Sequence, residues 1–129
     1  MNKENLILKL IEMLMSSDNK FSGKEEQNRH RLTGEMVIIR ARDAGVHFGE
    51  LVSVSGRHVV LNKSRRMYRW WSAKESTLTA VAKYGLNLNQ TLNIQSEINN
   101  QEILDACEIL PCTKECIDSF KNVEPHNEQ

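Results

Sequence analysis

From Glu35 onward the chain reads as short apolar runs cut at close intervals by turn-forming residues. Met36 to Ala41 is followed by Asp43-Ala44-Gly45, Val46 to Val54 by Ser55-Gly56, and Arg57 to Leu61 by Asn62-Lys63-Ser64 before Arg65 to Trp71. Runs of that length with so little chain between them can pair only with their neighbours, which predicts a four-strand antiparallel meander. Val52 and Val54 alternate with Ser53, Val59 and Leu61 with Val60, and Met67 with Tyr68, as expected of a sheet with one packed and one wet face. Gly45 and Gly56 suit the turns, and Gly49 inside the second run predicts a bulge or sharp bend, hence a curled sheet or partly open barrel.

Downstream, Ser76 or Thr77 is placed to cap a short helix carrying Leu78, Val81 and Ala82 that stops at Gly85. Thr91 to Ile98 reads as a β segment. Glu102 to Leu110 fits a strand or a helix by period, and is read as a strand pairing with the segment before it, stopped by Pro111. Thr113 then caps a last helix with Cys116, Ile117 and Phe120. At the other end, Leu6, Ile7, Leu10, Ile11, Met13 and Leu14 predict an amphipathic helix over Lys3 to Met15, followed by a polar linker. The expected fold class is therefore α+β: residues 1–34 form a separate N-terminal helix and linker, 35–121 a core domain, and 122–129 a flexible tail.

A chain of 129 residues with 40% hydrophobic and 26% charged residues suits one domain with one core. The apolar stretch from Leu6 to Met15 is broken by Lys9 and Glu12 and lacks a cleavage pattern, so a cytoplasmic protein is expected. Cys107, Cys112 and Cys116 lack the close pairs of a structural zinc site and make a poor disulfide framework, so they read as reduced thiols and no metal is assigned. No cofactor is expected either.

The formal net charge of zero hides two opposite fields. Residues 51–74 carry Arg57, Lys63, Arg65, Arg66, Arg69 and Lys74 and no acid, whereas residues 75–129 hold three bases against nine acids, a balance of 3 − 9 = −6. The basic stretch also holds Tyr68, Trp70 and Trp71. Arginine forks match phosphate oxygens and aromatic rings stack on bases, so the stretch suits a nucleotide or nucleic acid. The competing reading is that the acidic part folds over the basic part. Strand alternation puts Arg65, Met67, Arg69 and Trp71 on one face and Arg66, Tyr68 and Trp70 on the other, with at least one tryptophan expected in the core. The candidate ligand-binding residues are Arg40, Arg42, His47, Arg65, Arg66, Tyr68, Arg69, Trp70 and Trp71. His47 and His58 have no nucleophile in a recognisable arrangement, so no catalytic residue is assigned and the protein is not read as an enzyme.

Val37-Ile38-Ile39-Arg40, Ala44-Gly45-Val46-His47-Phe48-Gly49, Val59-Val60-Leu61, Arg65-Arg66 with the tryptophans, and Glu108-Ile109-Leu110-Pro111-Cys112 together resemble a small phage-encoded domain of unknown function, over about Glu35 to Phe120. The chain departs from that pattern at Ser72 to Ser76. In character it is also similar to the oligomeric sponges of phage Thoeris anti-defence, which bind cyclic nucleotide signals. That resemblance implies a homo-oligomeric counter-defence protein that sequesters a phosphate-bearing nucleotide second messenger without turning it over. Two alternatives stay open: a nucleic-acid-binding module, and an inhibitor of a host defence enzyme that presents Glu102, Asp105 and Glu108.

Overall fold

The computed structural model describes residues 29–126. The amphipathic helix expected over Lys3 to Met15 lies outside them. Six strands and two helices follow in the order β1 (Met36–Ala41), β2 (Val46–Ser55), β3 (His58–Arg69), α1 (Leu78–Tyr84), β4 (Asn93–Ile94), β5 (Gln101–Ile103), β6 (Ala106–Pro111) and α2 (Lys114–Lys121). The architecture is α+β, dominated by an open antiparallel sheet in the order β4-β3-β2-β1-β6, with β5 also paired to β3. No helix among the described residues is long and apolar enough to cross a membrane.

The sheet must curl. From β5 across β3, β2 and β1 to β6 a flat sheet would span about 19 Å at ~4.8 Å per strand. Ile103 and Ala106 are joined by three Cα steps, at most about 11 Å. The Arg42 N–H donates to the Asp105 carbonyl and the Ala106 N–H to the Arg57 carbonyl, each at 3.1 Å, drawing the two edges together without closing a ladder between them.

The expected third and fourth strands are one. Asn62-Lys63-Ser64 does not turn the chain back; β3 runs for 12 residues straight through it. Phe48 pairs with Arg65 and Glu50 with Asn62, so Lys63 and Ser64 together oppose the single residue Gly49. Lys63 takes φ +50, the left-handed conformation of a bulge. The turn-forming side chains serve the edge instead: Asn62 Oδ1 accepts from the Asn100 N–H, and Asn99 Oδ1 accepts from the Lys63 N–H, each at 2.9 Å.

That extra residue exchanges the faces of β3. Val59 and Leu61 join Val37, Ile39, Leu51 and Ile103 in a cluster inside the curl. Beyond the bulge, Met67 joins Ile38, Phe48, Val81, Ile94, Cys116 and Phe120 beneath the two helices. The sheet is therefore packed on both faces, and β1 is buried at Val37, Ile38 and Ile39 alike. On the helix side the rings of Phe48 and Phe120 stack at 3.8 Å between centroids.

The caps fall where the sequence puts them. Thr77 accepts from the Ala80 N–H at the start of α1, Gly85 with φ +93 ends it, and Thr113 accepts from the Cys116 N–H at the start of α2. The segment 106–111 is a strand, but its partner is β1 rather than the chain just before it. Past α2, Val123 packs on the helix-side core and the His126 N–H donates to the Ile94 carbonyl, so the chain stays attached that far into the stretch read as a tail.

Candidate functional site

The basic strand and the acidic segment do meet within one chain. Residues 93–103 run antiparallel along β3, pairing at Met67↔Ile94, Ser64↔Ile98 and Val60↔Glu102. Three acids of the C-terminal part are engaged internally. Glu108 bonds Arg40 at 3.1 Å and Glu102 bonds His58 at 2.9 Å. The Asp105 carboxylate accepts from the Asp43 and Ala44 N–H groups and so fastens the β1–β2 turn. Those donors hold its pKa below the ordinary carboxylate value.

The pairing stops short of the centre of the basic stretch. Among the described residues, Arg57, Arg66, Arg69 and Lys74 make no ion pair with a carboxylate. The Arg66 guanidinium lies 5.9 Å from the Tyr68 ring centroid and donates to its hydroxyl at 3.3 Å. Tyr68 is 63% exposed and Trp71 48% exposed. Arg66, Tyr68, Arg69 and Trp71 thus form a surface of open rings and of cations unpaired among the described residues.

The other sequence candidates lie elsewhere. Arg65 is buried on the helix side, where its Nε donates to the Gln95 carbonyl and its Nη1 to the Phe120 carbonyl, both at 2.8 Å. Burial lowers its pKa, opposed by Glu97 and then Glu124. It fastens the edge segment and α2 to the sheet. Trp70 packs against the helix-side core. Strand alternation would have put it with Tyr68, but Met67 pairs with Ile94 and Arg69 with Asn93, so a second extra residue at Tyr68 swaps the faces again.

His47 is fully buried, opposite Arg66 in the β2–β3 ladder, with Nε2 2.7 Å from the Ala44 carbonyl. Desolvation lowers its pKa, so the ring is neutral and Nε2 donates. It fastens the β1–β2 turn. Arg40 and Arg42 are exposed at the far end of β1, Arg40 already paired to Glu108.

Residues outside the sequence candidates complete the surface. A depression of about 360 Å³ is lined by Ser64, Arg66, Tyr68, Gln95, Ile98 and Gln101, among others. A second, of about 370 Å³, is lined by Tyr68, Asn93, Gln95 and His126. The amides come from the edge segment, whose run of Asn and Gln carries no sequence signal of a site. On the helix side, a cavity of about 680 Å³ has the Phe48–Phe120 stack in its wall and four glutamates around it: Glu35, Glu50, Glu97 and Glu124. Its mixed charge does not select an anion.

The cysteines form no disulfide. Cys107 is exposed, with Sγ 3.2 Å from the Arg40 carbonyl, and Cys112 shares a hydrogen bond with Cys116 that, with burial, raises its pKa. Among the described residues no group of three or more histidines, cysteines and acids converges as metal ligands would.

No curated protein and no solved structure matches the chain. A family profile does match residues 34–120, more than half of the sequence, covering the whole sheet, α1 and all of α2 but its last residue. The chain therefore belongs to the DUF6948 family, a domain of unknown function.

Proposed function

We propose that this protein captures a phosphate-bearing nucleotide on the Arg66–Trp71 surface and holds it without turnover. One observation carries the reading: among the described residues Arg66 and Arg69 have no carboxylate partner beside the open rings of Tyr68 and Trp71, although residues 93–103, with Glu97 and Glu102, lie along the same strand. Guanidinium groups left unpaired next to aromatic surface are apt for phosphate and base together. Capture needs preorganised donors and no nucleophile, and Arg65, bound to the Gln95 and Phe120 carbonyls, fastens the strand that presents them. In its fullest form the reading is of a homo-oligomeric phage counter-defence protein that sequesters a cyclic nucleotide immune signal.

A nucleic-acid-binding module would use the same strand, with affinity falling steeply with salt as counterions are released. The inhibitor reading loses support, since Glu102, Asp105 and Glu108 are each engaged within the domain. The deciding experiment is to incubate the purified full chain with nucleotide extracts from infected, immune-activated cells, denature it by heat and identify what it releases by mass spectrometry. Recovery of an intact nucleotide is expected; a protein that releases none overturns the proposal.

A further inference from the structure

The two depressions beside β3 share two residues, Tyr68 and Gln95. Tyr68 is the bulged residue between Met67 and Arg69, and its side chain is mostly exposed, so it stands as a ridge with one hollow on each side. The hollows are nearly equal, about 360 and 370 Å³, each near the lower end of the range for ligand sites. We infer that the ligand carries two nucleobases joined through phosphate, a dinucleotide, seated astride Tyr68 with one base in each hollow. The inference rests on the nucleotide reading of the same surface and narrows its ligand class.

The walls suit that ligand on both sides. In the first hollow the buried Ser64 hydroxyl donates to Gln101 Oε1, which leaves the Gln101 amide hydrogens to be donated outward. Gln95 Nε2 donates to Asn93 Oδ1 at 2.6 Å, and its Oε1 accepts no hydrogen bond among the described residues. A free amide donor and a free amide acceptor are what the edge of a base requires, since every base carries both functions along one edge. Ile98 supplies an apolar wall, and the Arg66 guanidinium beside the Tyr68 ring supplies a stacking plane. In the second hollow the Asn93 amide hydrogens are the donors left, since its Oδ1 already accepts from Gln95, and the one Gln95 acceptor is shared by the two hollows. The cations flank the ridge: Arg66 lines the first hollow, and Arg69 is the ladder partner of Asn93, which lines the second. A mononucleotide would fill one hollow and leave the other to water. Joining two bases makes the second contact intramolecular, which multiplies affinity without any new residue.

The test is calorimetric titration of the full chain with the four nucleoside 5′-monophosphates, the matching 5′-phosphorylated homodinucleotides and the corresponding trinucleotides. At least one dinucleotide is expected to bind roughly tenfold or more tighter than its mononucleotide. Gln101→Ala, at a partly exposed position, should remove most of that advantage, and the trinucleotide should add little. Equal affinity for mono- and dinucleotide would overturn the two-base seat while leaving the nucleotide reading intact. A further tenfold gain on the third nucleotide would overturn it in favour of a strand-tracking groove. Binding of none of the probes would overturn both.

Discussion

Gly49 lies so close against Asn62 across the β2–β3 ladder that a Cβ on Gly49 would sit 2.9 Å from the Asn62 carbonyl oxygen, and 3.0 Å from the Ser64 Cα. Both neighbours are backbone of the bulged stretch and cannot swing aside as a side chain can. Gly49→Ala is therefore expected to cost about 1–3 kcal/mol, by overpacking rather than backbone strain, because the bulge must move to admit a methyl group. Urea denaturation of the variant checks this, and an unchanged midpoint would show that the bulge yields freely. Because the bulge turns the later half of β3 towards the helix side, the variant should also weaken nucleotide capture.

The division of the arginines gives a second test. Arg65→Ala would leave the buried Phe120 carbonyl and the partly buried Gln95 carbonyl without their donor and open a void beside the stacked phenylalanines, at a cost of about 2–4 kcal/mol. Arg66→Ala and Arg69→Ala remove side chains that carry no ion pair among the described residues, and should leave stability within about 0.5 kcal/mol. Ligand binding should fall in the latter two, read by calorimetry beside a thermal melt. If both retained wild-type affinity, the capture surface would have to lie elsewhere.

Much of the scaffold was legible in the sequence. Thr77, Gly85 and Thr113 act as local signals, satisfying or ending a helix within a few residues, so their roles depend little on the rest of the fold. Gly49 marked the place of a bulge but not its strand, since the extra residue lies opposite it in β3. What was not legible is the phase of β3. Asn62-Lys63-Ser64 has turn chemistry, and only a partner strand on each side turns it into a bulge rather than a reversal. Each inserted residue shifts the alternation, so the sequence joined Trp70 to Tyr68 and Arg65 to Trp71, and the fold separates both pairs. Gln95 and Gln101 were invisible because an amide carries neither charge nor periodicity, and they become part of a surface only when residues 93–103 lie down along β3.

His47 makes stability depend on pH. Its folded pKa is lowered from the ordinary value of 6.5, first by desolvation, then by the nearby Arg66, while the Ala44 carbonyl and Asp105 oppose the shift. The unfolded chain therefore binds the proton more readily than the folded one, and the stability contributed by the neutral ring is fully present above 6.5. It is lost as pH falls from there through the lowered folded value. At still lower pH the Asp105 carboxylate, whose folded pKa lies below 3.8, loses its grip on the β1–β2 turn in the same direction. Melting temperatures between pH 7.5 and 5 should fall in the wild type and fall less in His47→Gln, which can keep a donor to the Ala44 carbonyl. Parallel curves would remove His47 as the cause.

The two tryptophans should separate in a fluorescence experiment. Trp70 packs against the helix-side core, whereas Trp71 is 48% exposed. Trp71→Phe should leave emission that is blue-shifted and poorly quenched by iodide, and Trp70→Phe should leave emission that is red-shifted and readily quenched. Truncation to alanine should cost about 2 kcal/mol at Trp70 and within about 0.5 kcal/mol at Trp71. Nucleotide binding should quench the tryptophan in the Trp70→Phe protein and barely alter the Trp71→Phe protein, since the ligand meets only the outward ring. Equal responses in the two variants would mean that Trp71 takes no part in the surface, leaving Tyr68 as its one stacking residue.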